Sequence, residues 1–257
     1  MIKGLYTSAL GMTTQMKRLD VVSNNIANAN TTGFKKDLTI TSSFSEELEK
    51  RLDDRETFMD RHASPVGRIT YGLFVDTVHT DFSVGNMQNT GNPLDTAISG
   101  DGFYSISVTD RNGAVTEKYT RDGAFTLSPD RRLVTKEGNA VNGQNGPITL
   151  PDGEISFGDL GQVYVNSEYI DTLRLVNIDN PDSLRKQGDN LYNPTDETTV
   201  SEFRSFVMQG IVENSNVNPV KEMVEMINIT RNYEANQRMV TIHDNILGRA
   251  VSDIGRR

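Results

Sequence analysis

The chain has 257 residues, of which 35% are hydrophobic, and a formal net charge of −9 at pH 7. This length favours one large domain or two smaller units, and it is sufficient to bury a core without disulfides. Cysteine is absent, which excludes disulfides, thiolate metal clusters and a cysteine nucleophile, and the acidic balance argues against a nucleic-acid-binding surface.

The charge is distributed unevenly along the chain. Residues 1–36 carry five basic side chains and one acidic one, and residues 208–257 carry equal numbers of each. The acidic excess therefore lies in the middle, where it is typical of a solvated surface. No apolar run is long enough to span a membrane, and the N-terminus lacks the apolar segment of a cleaved secretory signal.

The first predicted element is a helix over residues 3–29. Its stripe recurs at alternating spacings of four and three, as in a heptad repeat. Gly4 and Gly11 each lower the helix propensity by about 1 kcal/mol relative to alanine, so packing must support the helix. The stripe consists of Leu5, Ala9, Met12, Met16, Leu19, Ser23 and Ile26.

Residues 34–84 are expected to form a connector. Apolar residues at a spacing of four predict a short amphipathic helix over residues 43–54. Residues 55–69 have no sustained period and are expected to be irregular, and residues 69–82 alternate as one or two strands would. Lys35 and Lys36 are interpreted as a solvated helix end.

Residues 85–207 are predicted to form an antiparallel all-β domain. Short alternating runs are separated by turn signals every 7–11 residues, which is typical of hairpins in a sandwich or barrel. The turn signals are Asp101-Gly102, Asn112-Gly113, Asp122-Gly123, Asp130, Glu137-Gly138, Asn145-Gly146 and Asp152-Gly153.

The last predicted element is a helix that begins at Pro219 and extends to Ile254. Proline suits the first helical turn, and a helix of this length extends about 50 Å. Its apolar residues cover more than one stripe, so the helix needs partners on two sides. Those partners are either other copies of the chain or, in a self-contained α+β globule, the chain's own sheet.

Three stretches resemble the signatures of bacterial flagellar rod and hook proteins, in the family order. The sequence SNNIAN (23–28) followed by NTTGFKK (30–36) resembles their N-terminal signature. NPLDTAISGDGFYSI (92–106), YTRDGAFTL (119–127) and LVTKEG (133–138) are similar to their central β-domain. ENSNVNPVKEMVEMI (213–227) and RNYEANQRM (231–239) are similar to their C-terminal signature.

The resemblance implies an α+β fold with a coiled-coil-like pair of terminal helices and a central antiparallel domain. It implies an axial core from residues 1–33 and 208–257, the connector over 34–84, and the β-domain over 85–207. The length fits the larger rod members, proximal or distal, and the sequence FSEELEKRLDD favours the proximal one.

The function implied is a structural subunit of the basal-body rod, which polymerises into the tubular drive shaft of the flagellum. The expected partners are the chain itself, other rod and hook axial proteins, the flagellar type III export apparatus and surrounding ring proteins. The expected location is the cell envelope, periplasmic in a two-membrane cell, reached without a cleaved signal peptide.

The terminal helices are expected to carry the subunit interface. Their apolar stripes supply most of the candidate residues, and polar residues of the family motifs supply the others. The candidates are Leu5, Met12, Met16, Leu19, Asn25, Ile26, Asn28, Met223, Ile227, Arg231, Tyr233, Val240, Leu247 and Ile254.

No catalytic, cofactor or metal site is expected. The sequence lacks the common catalytic and nucleotide-binding motifs, and its three histidines are too far apart for a local metal-ligand pair. Neither a nucleic acid nor a small-molecule substrate is expected. Two alternatives stay open: a short hook-type axial protein and a self-contained β-rich surface binding module.

Overall fold

The computed structural model describes residues 2–43, 47–51, 64–69, 72–109, 113–188 and 190–254. The chain divides into two compact units. The first, here called the helical unit, comprises Met1–Asn24, Asp37–His79 and Pro219–Arg257. The second, the β unit, comprises Asn25–Lys36 and Thr80–Asn218, so it extends beyond the predicted range of 85–207.

Both predicted terminal helices are confirmed. Helix α1 is Ile2–Ala27 and helix α2 is Pro219–Ile254. The chain after α1 turns at Gly33, whose φ of 67° is left-handed. A Cβ atom at this position would lie 2.4 Å from the backbone nitrogen of Asp122, so both the backbone angle and the close approach require glycine.

Four strands of the helical unit form two-stranded ribbons. Strand β1 (Asp37–Ser43) pairs with β4 (Leu73–Thr80), and β2 (Glu47–Arg51) pairs antiparallel with β3 (Ser64–Ile69). The strand predicted within residues 69–82 is thereby confirmed.

The helix predicted over residues 43–54 is wrong where the structure describes it. Glu47–Arg51 is a strand, because pairing with Ser64–Ile69 satisfies its backbone hydrogen bonds and overrides the local four-residue spacing. Ser64–Ile69 was expected to be irregular and is its partner. Residues 44–46 and 52–63 lie outside the described residues.

The β unit contains the remaining strands and one short 3₁₀ helix. The observed strand pairs are antiparallel, as predicted. The strands are β5 Met87–Asn89, β6 Thr96–Ser99, β7 Phe103–Thr109, β8 Val115–Thr120, β9 Thr126–Leu127, β10 Leu133–Val134, β11 Ala140–Gly143, β12 Gly146–Pro147, β13 Ile155–Phe157, β14 Gln162–Val165, β15 Glu168–Thr172, β16 Leu175–Ile178, β17 Arg185–Gln187, β18 Leu191–Asn193, β19 Val200–Glu202, β20 Phe206–Gln209 and β21 Ile211–Glu213, and the 3₁₀ helix is Pro181–Ser183.

Strand β7 is central to the main sheet of this unit. The sheet follows the order β17-β18-β8-β7-β11-β10-β9, and β16 also pairs with β7 and with β19. Smaller sheets pair β13 with β14 and β15, β6 with β20, and β5 with β21. A continuous apolar core lies against these strands and includes Tyr104, Ile106, Phe125, Leu133 and Leu150.

One predicted turn has a different role in the structure. Asp122-Gly123 connects β8 to β9 beside β6, where the Thr96 nitrogen donates to the Gly123 carbonyl at 2.9 Å. A Cβ atom at residue 123 would lie 1.8 Å from the Thr96 carbonyl oxygen. Glycine is therefore needed here for the close approach of two backbone segments rather than for a hairpin turn.

Candidate assembly surface

Apolar residues are distributed in opposite ways in the two units. Of the 26 buried apolar residues in the described part of the chain, only Val22 and Ile229 lie in the helical unit. Of the 21 exposed large apolar residues, 15 lie in that unit. The helical unit thus displays the kind of surface that soluble proteins usually bury, which marks it as the candidate interaction surface.

The two helices lie side by side and run in opposite directions. Gly4 of α1 lies against His243 of α2, and Gly11 lies against Asn236. Farther along, the guanidinium of Arg18 is 2.5 Å from the carboxylate of Glu225. Residue numbers rise along α1 as they fall along α2, which defines the antiparallel arrangement.

The covered side of α2 follows a heptad repeat, which we call the seam of α2. Its positions are spaced alternately by four and three residues, and each is buried or half-buried. They are Glu222, Met226, Ile229, Tyr233, Asn236, Val240, His243, Leu247 and Ala250.

The surface of α2 outside the seam, here called the outward face, carries large exposed apolar residues in two groups. The first group has the spacing i, i+3, i+4, i+7 of an amphipathic helix. Exposed polar and charged residues dominate the stretch between 228 and 238 and separate the groups. The outward face consists of Val220, Met223, Val224, Ile227, Met239, Ile242, Ile246 and Val251.

A second exposed apolar surface, the ribbon patch, lies on one face of β1 and β4. Leu38 and Ile40 share one face of β1, and Phe74 and Val78 share one face of β4. The hydrogen bond from the Ser42 hydroxyl to the Asp76 carboxylate, at 3.2 Å, joins the same two faces. A two-stranded ribbon is marginally stable alone, so an exposed apolar face on it favours a packing partner.

The ribbon also contacts α1 within the chain. The Thr14 hydroxyl donates to the Leu73 carbonyl at 2.8 Å, and Gly72 lies against the side chain of Leu10. Thus α1 is covered by α2 on one side and by the end of the ribbon on another, whereas the ribbon patch is exposed.

The predicted interface residues fall into three groups. Half-buried are Leu5, Met12, Leu19, Ile26, Asn28, Tyr233, Val240 and Leu247. Exposed are Met16, Met223, Ile227 and Arg231. Asn25 is buried, with 1% exposure, and the side chain of Ile254 is outside the described residues.

Three residues next to the predicted α1 stripe contact α2. They are Gly4, Gly11 and Arg18, each one position before a predicted residue. These seam residues are small or polar, so hydrophobic periodicity does not find them. The seven-residue spacing of the two glycines was the available signal.

The ribbon patch was also missed. The alternation of Leu38 and Ile40 with threonines was the available signal for a strand with one apolar face. Only the cross-strand pairing shows that Phe74 and Val78 extend the same face.

Lys35 is not solvated, contrary to the prediction. Its ammonium group is buried in the β unit and lies 2.5 Å from the Glu213 carboxylate. The other carboxylate oxygen accepts from Arg121 Nε at 3.0 Å, and Arg121 also donates to the carbonyls of Gly100 and Gly102. Burial lowers the pKa of Lys35, and the charge of Glu213 opposes that shift.

This ion cluster joins distant segments of the β unit. Besides Lys35 and Arg121, the Glu213 carboxylate accepts from the Gly85 nitrogen at 2.7 Å. Lys36 pairs with Asp81 at 3.4 Å. The cluster holds residues 33–36, 81–85 and 213 together, and its charges are satisfied within the chain, which gives it a structural role.

Features that point to other functions are scarce in the described residues. There, no group of three or more histidine, aspartate and glutamate side chains is arranged to hold a metal ion. Neither described helix is sufficiently long and apolar to cross a membrane.

Comparison with protein-family models gives three matches. The model described as "Flagella basal body rod protein" matches residues 5–35, and "Flagellar hook protein FlgE/F/G D1 domain" matches residues 97–165. "Flagellar basal body rod FlgEFG protein C-terminal" matches residues 208–253. The first and last matches cover the helices, and the middle one covers part of the β unit.

Curated relatives match over the whole chain. Flagellar basal-body rod protein FlgF of Caulobacter vibrioides is 35% identical over 261 residues, covering 100% of this chain and 99% of the relative. Flagellar basal-body rod protein FlgG of Borreliella burgdorferi is 34% identical, covering 96% and 97%. The flagellar hook-basal body complex protein FlhO of Bacillus subtilis is 25% identical, covering 100% of both chains.

Proposed function

Because the chain belongs to the flagellar basal-body rod protein family, we propose that copies of it polymerise by burying the outward face of α2 and the ribbon patch. Family membership makes the chain a non-enzymatic structural subunit of the flagellar basal body that assembles with other axial proteins. The outward face of α2 and the ribbon patch are the surfaces proposed to form the contacts between subunits.

The observation that supports it is the concentration of exposed apolar residues in the helical unit. Burying a fully exposed side chain of this kind contributes about 1.5–3 kcal/mol. The eight residues on the outward face of α2 are 46–71% exposed, so each contributes a fraction of that value, and together they favour association. The β unit buries its own apolar residues and presents a mostly polar, acidic exterior.

The predicted interface residues divide accordingly in this proposal. Met223 and Ile227 belong to the outward face and contact other copies. Tyr233, Val240 and Leu247 belong to the seam and hold α2 to α1. Met16 and Arg231 are exposed and available to neighbours, whereas Asn25 has little surface left to offer another copy.

We also propose a position for the chain within the rod. The relatives include FlgF and FlgG at similar identity, so they do not distinguish the proximal from the distal position. The preference for the proximal position rests on the sequence of residues 44–54 and stays a prediction. Export through the type III apparatus, a periplasmic location and contacts with ring proteins are likewise proposed from the family resemblance.

The test compares two matched substitutions of exposed apolar residues. Ile227 on the outward face and Leu160 in the β unit have exposures of 52% and 57%. In cells that lack the native gene, Ile227→Asp is expected to abolish swimming and to be missing from isolated basal bodies. Leu160→Asp is expected to support both.

The control for folding is circular dichroism of both purified variants, which should match the unsubstituted chain. Normal swimming with Ile227→Asp would contradict the proposed surface. Failure of the unsubstituted chain to enter basal bodies would contradict its assignment as a rod subunit.

A further inference from the structure

Helix α1 contains two glycines, a residue type with a low helix propensity. Gly4 lies in the first turn and Gly11 in the interior of a 26-residue helix, and in a helix interior glycine is the least favourable residue after proline. They are seven residues apart, which places them on the same side of the helix, two turns from each other. A packing requirement on that side explains both.

Each glycine lies against a polar side chain of α2. A Cβ atom built on Gly4 would lie 2.7 Å from Nε2 of His243, and one built on Gly11 would lie 2.9 Å from Nδ2 of Asn236. The imidazole Nδ1 of His243 is buried, so this ring is held in the seam. A Cβ atom at either position would therefore require the end of the neighbouring side chain to shift out of its observed place.

The spacing on the two helices is the same. Gly4 and Gly11 are separated by seven residues, and so are Asn236 and His243. In the antiparallel pair, a shift of one heptad would place His243 opposite Gly11 and Asn236 opposite Arg18. A shift in the other direction would place Asn236 opposite Gly4 and leave His243 beyond the start of α1.

We propose that the two glycines, together with His243 and Asn236, fix the axial register of the α1–α2 pair. The observed register is the one in which both polar side chains meet a glycine. Apolar seams tolerate alternative registers, whereas a polar residue at a single seam position specifies one. These four are positioning residues, and they act through the helix pair.

The register has a consequence that rests on the proposed function. The outward face lies on α2, whereas Tyr6 and Met16 are exposed on α1. Copies of the chain associate equivalently only if these surfaces keep one axial offset, and the seam sets that offset.

The absence of cysteine from the chain allows a direct test by disulfide formation. The ideal Cβ position of residue 11 is 3.3 Å from Cγ of Asn236, close enough for a bridge between introduced cysteines. We expect Gly11→Cys/Asn236→Cys to oxidise to an intramolecular disulfide in the purified full chain. The heptad-shifted pairs Gly4→Cys/Asn236→Cys and Gly11→Cys/His243→Cys, displaced by about 10 Å, should not.

A second experiment tests the role of Gly4 with the same reporter. Gly4→Leu should lower the disulfide yield of the 11/236 pair severalfold, because leucine would fill the space that His243 occupies. Adding His243→Ala should restore the yield, which a general loss of helix stability would not allow. Gly248→Leu is the control, since a Cβ atom there meets nothing within 4 Å.

The proposal would be overturned by equal disulfide yields from the shifted and unshifted pairs. It would also be overturned if Gly4→Leu left the 11/236 yield unchanged, or if His243→Ala failed to restore it. These measurements use the chain without assembly, so their failure is distinct from a failure of the swimming and basal-body tests.

Discussion

The β unit and the helical unit are stabilised by different kinds of contact. The β unit buries its aromatic and aliphatic residues in a continuous core and encloses an ion cluster of Lys35, Arg121 and Glu213. The helical unit buries few apolar residues, and its helix seam contains glycine, asparagine, histidine and an arginine–glutamate pair. The difference is that the first unit buries its own apolar residues, whereas the second leaves apolar surface exposed, which the proposed assembly would bury.

The first prediction compares the loss of unfolding free energy when a buried ion pair and an exposed ion pair are broken. Glu213→Gln leaves the buried charges of Lys35 and Arg121 uncompensated, and it should lower the free energy of unfolding of the β unit by about 3–5 kcal/mol. Asp152→Asn, the control in the same unit, removes an exposed pair with Arg131, and it should change that free energy by less than about 1 kcal/mol. Urea unfolding followed by tyrosine circular dichroism measures both.

The second prediction removes apolar atoms from each unit. Leu133→Ala opens a cavity in the β core and should cost about 2–5 kcal/mol of unfolding free energy. Val224→Ala on the outward face should change the stability of the free chain by less than about 0.5 kcal/mol, yet reduce incorporation into basal bodies. If Val224→Ala destabilised the free chain as much as Leu133→Ala, the contrast between the units would be wrong.

The third prediction concerns glycines within the helices. Gly248→Ala should stabilise the helical unit by about 0.4–1 kcal/mol, because the new methyl group meets nothing and alanine is the better helix former. Gly11→Ala should give no such gain, because its methyl group contacts Asn236. Thermal unfolding followed at 222 nm compares them, and an equal gain at both positions would argue against a close seam.

The fourth prediction concerns the pH dependence of the stability of the β unit, where the expected change is smaller. Burial raises the pKa of Asp122, although hydrogen bonds from Thr32 and from the Ala124 nitrogen oppose the shift. A carboxyl group whose pKa is higher in the folded state stabilises that state below its unfolded pKa of about 3.9, and the contribution is lost as the pH rises through the folded pKa. Asp122→Asn should therefore gain stability relative to the unsubstituted chain as the pH rises from about 4. A constant difference across that range would contradict the shift.

The sequence predicted well those elements whose signals are local. The heptad spacing, Pro219 and the Asn-Gly and Asp-Gly signals identified both helices and the antiparallel region, because each signal reflects a backbone requirement within a few residues. The resemblance between the terminal signatures and flagellar rod proteins was confirmed by the family models and the curated relatives.

What the sequence did not predict depends on contacts between distant segments. The strand at Glu47–Arg51 exists because Ser64–Ile69 pairs with it. Lys35 is buried because its ammonium group pairs with the carboxylate of Glu213, which is 178 residues away in the sequence. The contacts of Gly4 with His243 and of Gly11 with Asn236 were not predicted, because the role of a small residue becomes visible only when its partner on the other helix is known.

The proposed assembly requires the outward face of α2 to be exposed in the free chain and buried in the assembled rod. Since the chain has no cysteine, Ile227→Cys and Leu160→Cys introduce single thiols whose maleimide labelling can be compared in purified protein and in isolated basal bodies. We expect the thiol at position 227 to react in the free chain and to be protected in the rod, while the thiol at position 160 reacts in both. Equal labelling of position 227 in the two states would contradict burial of the outward face in the rod.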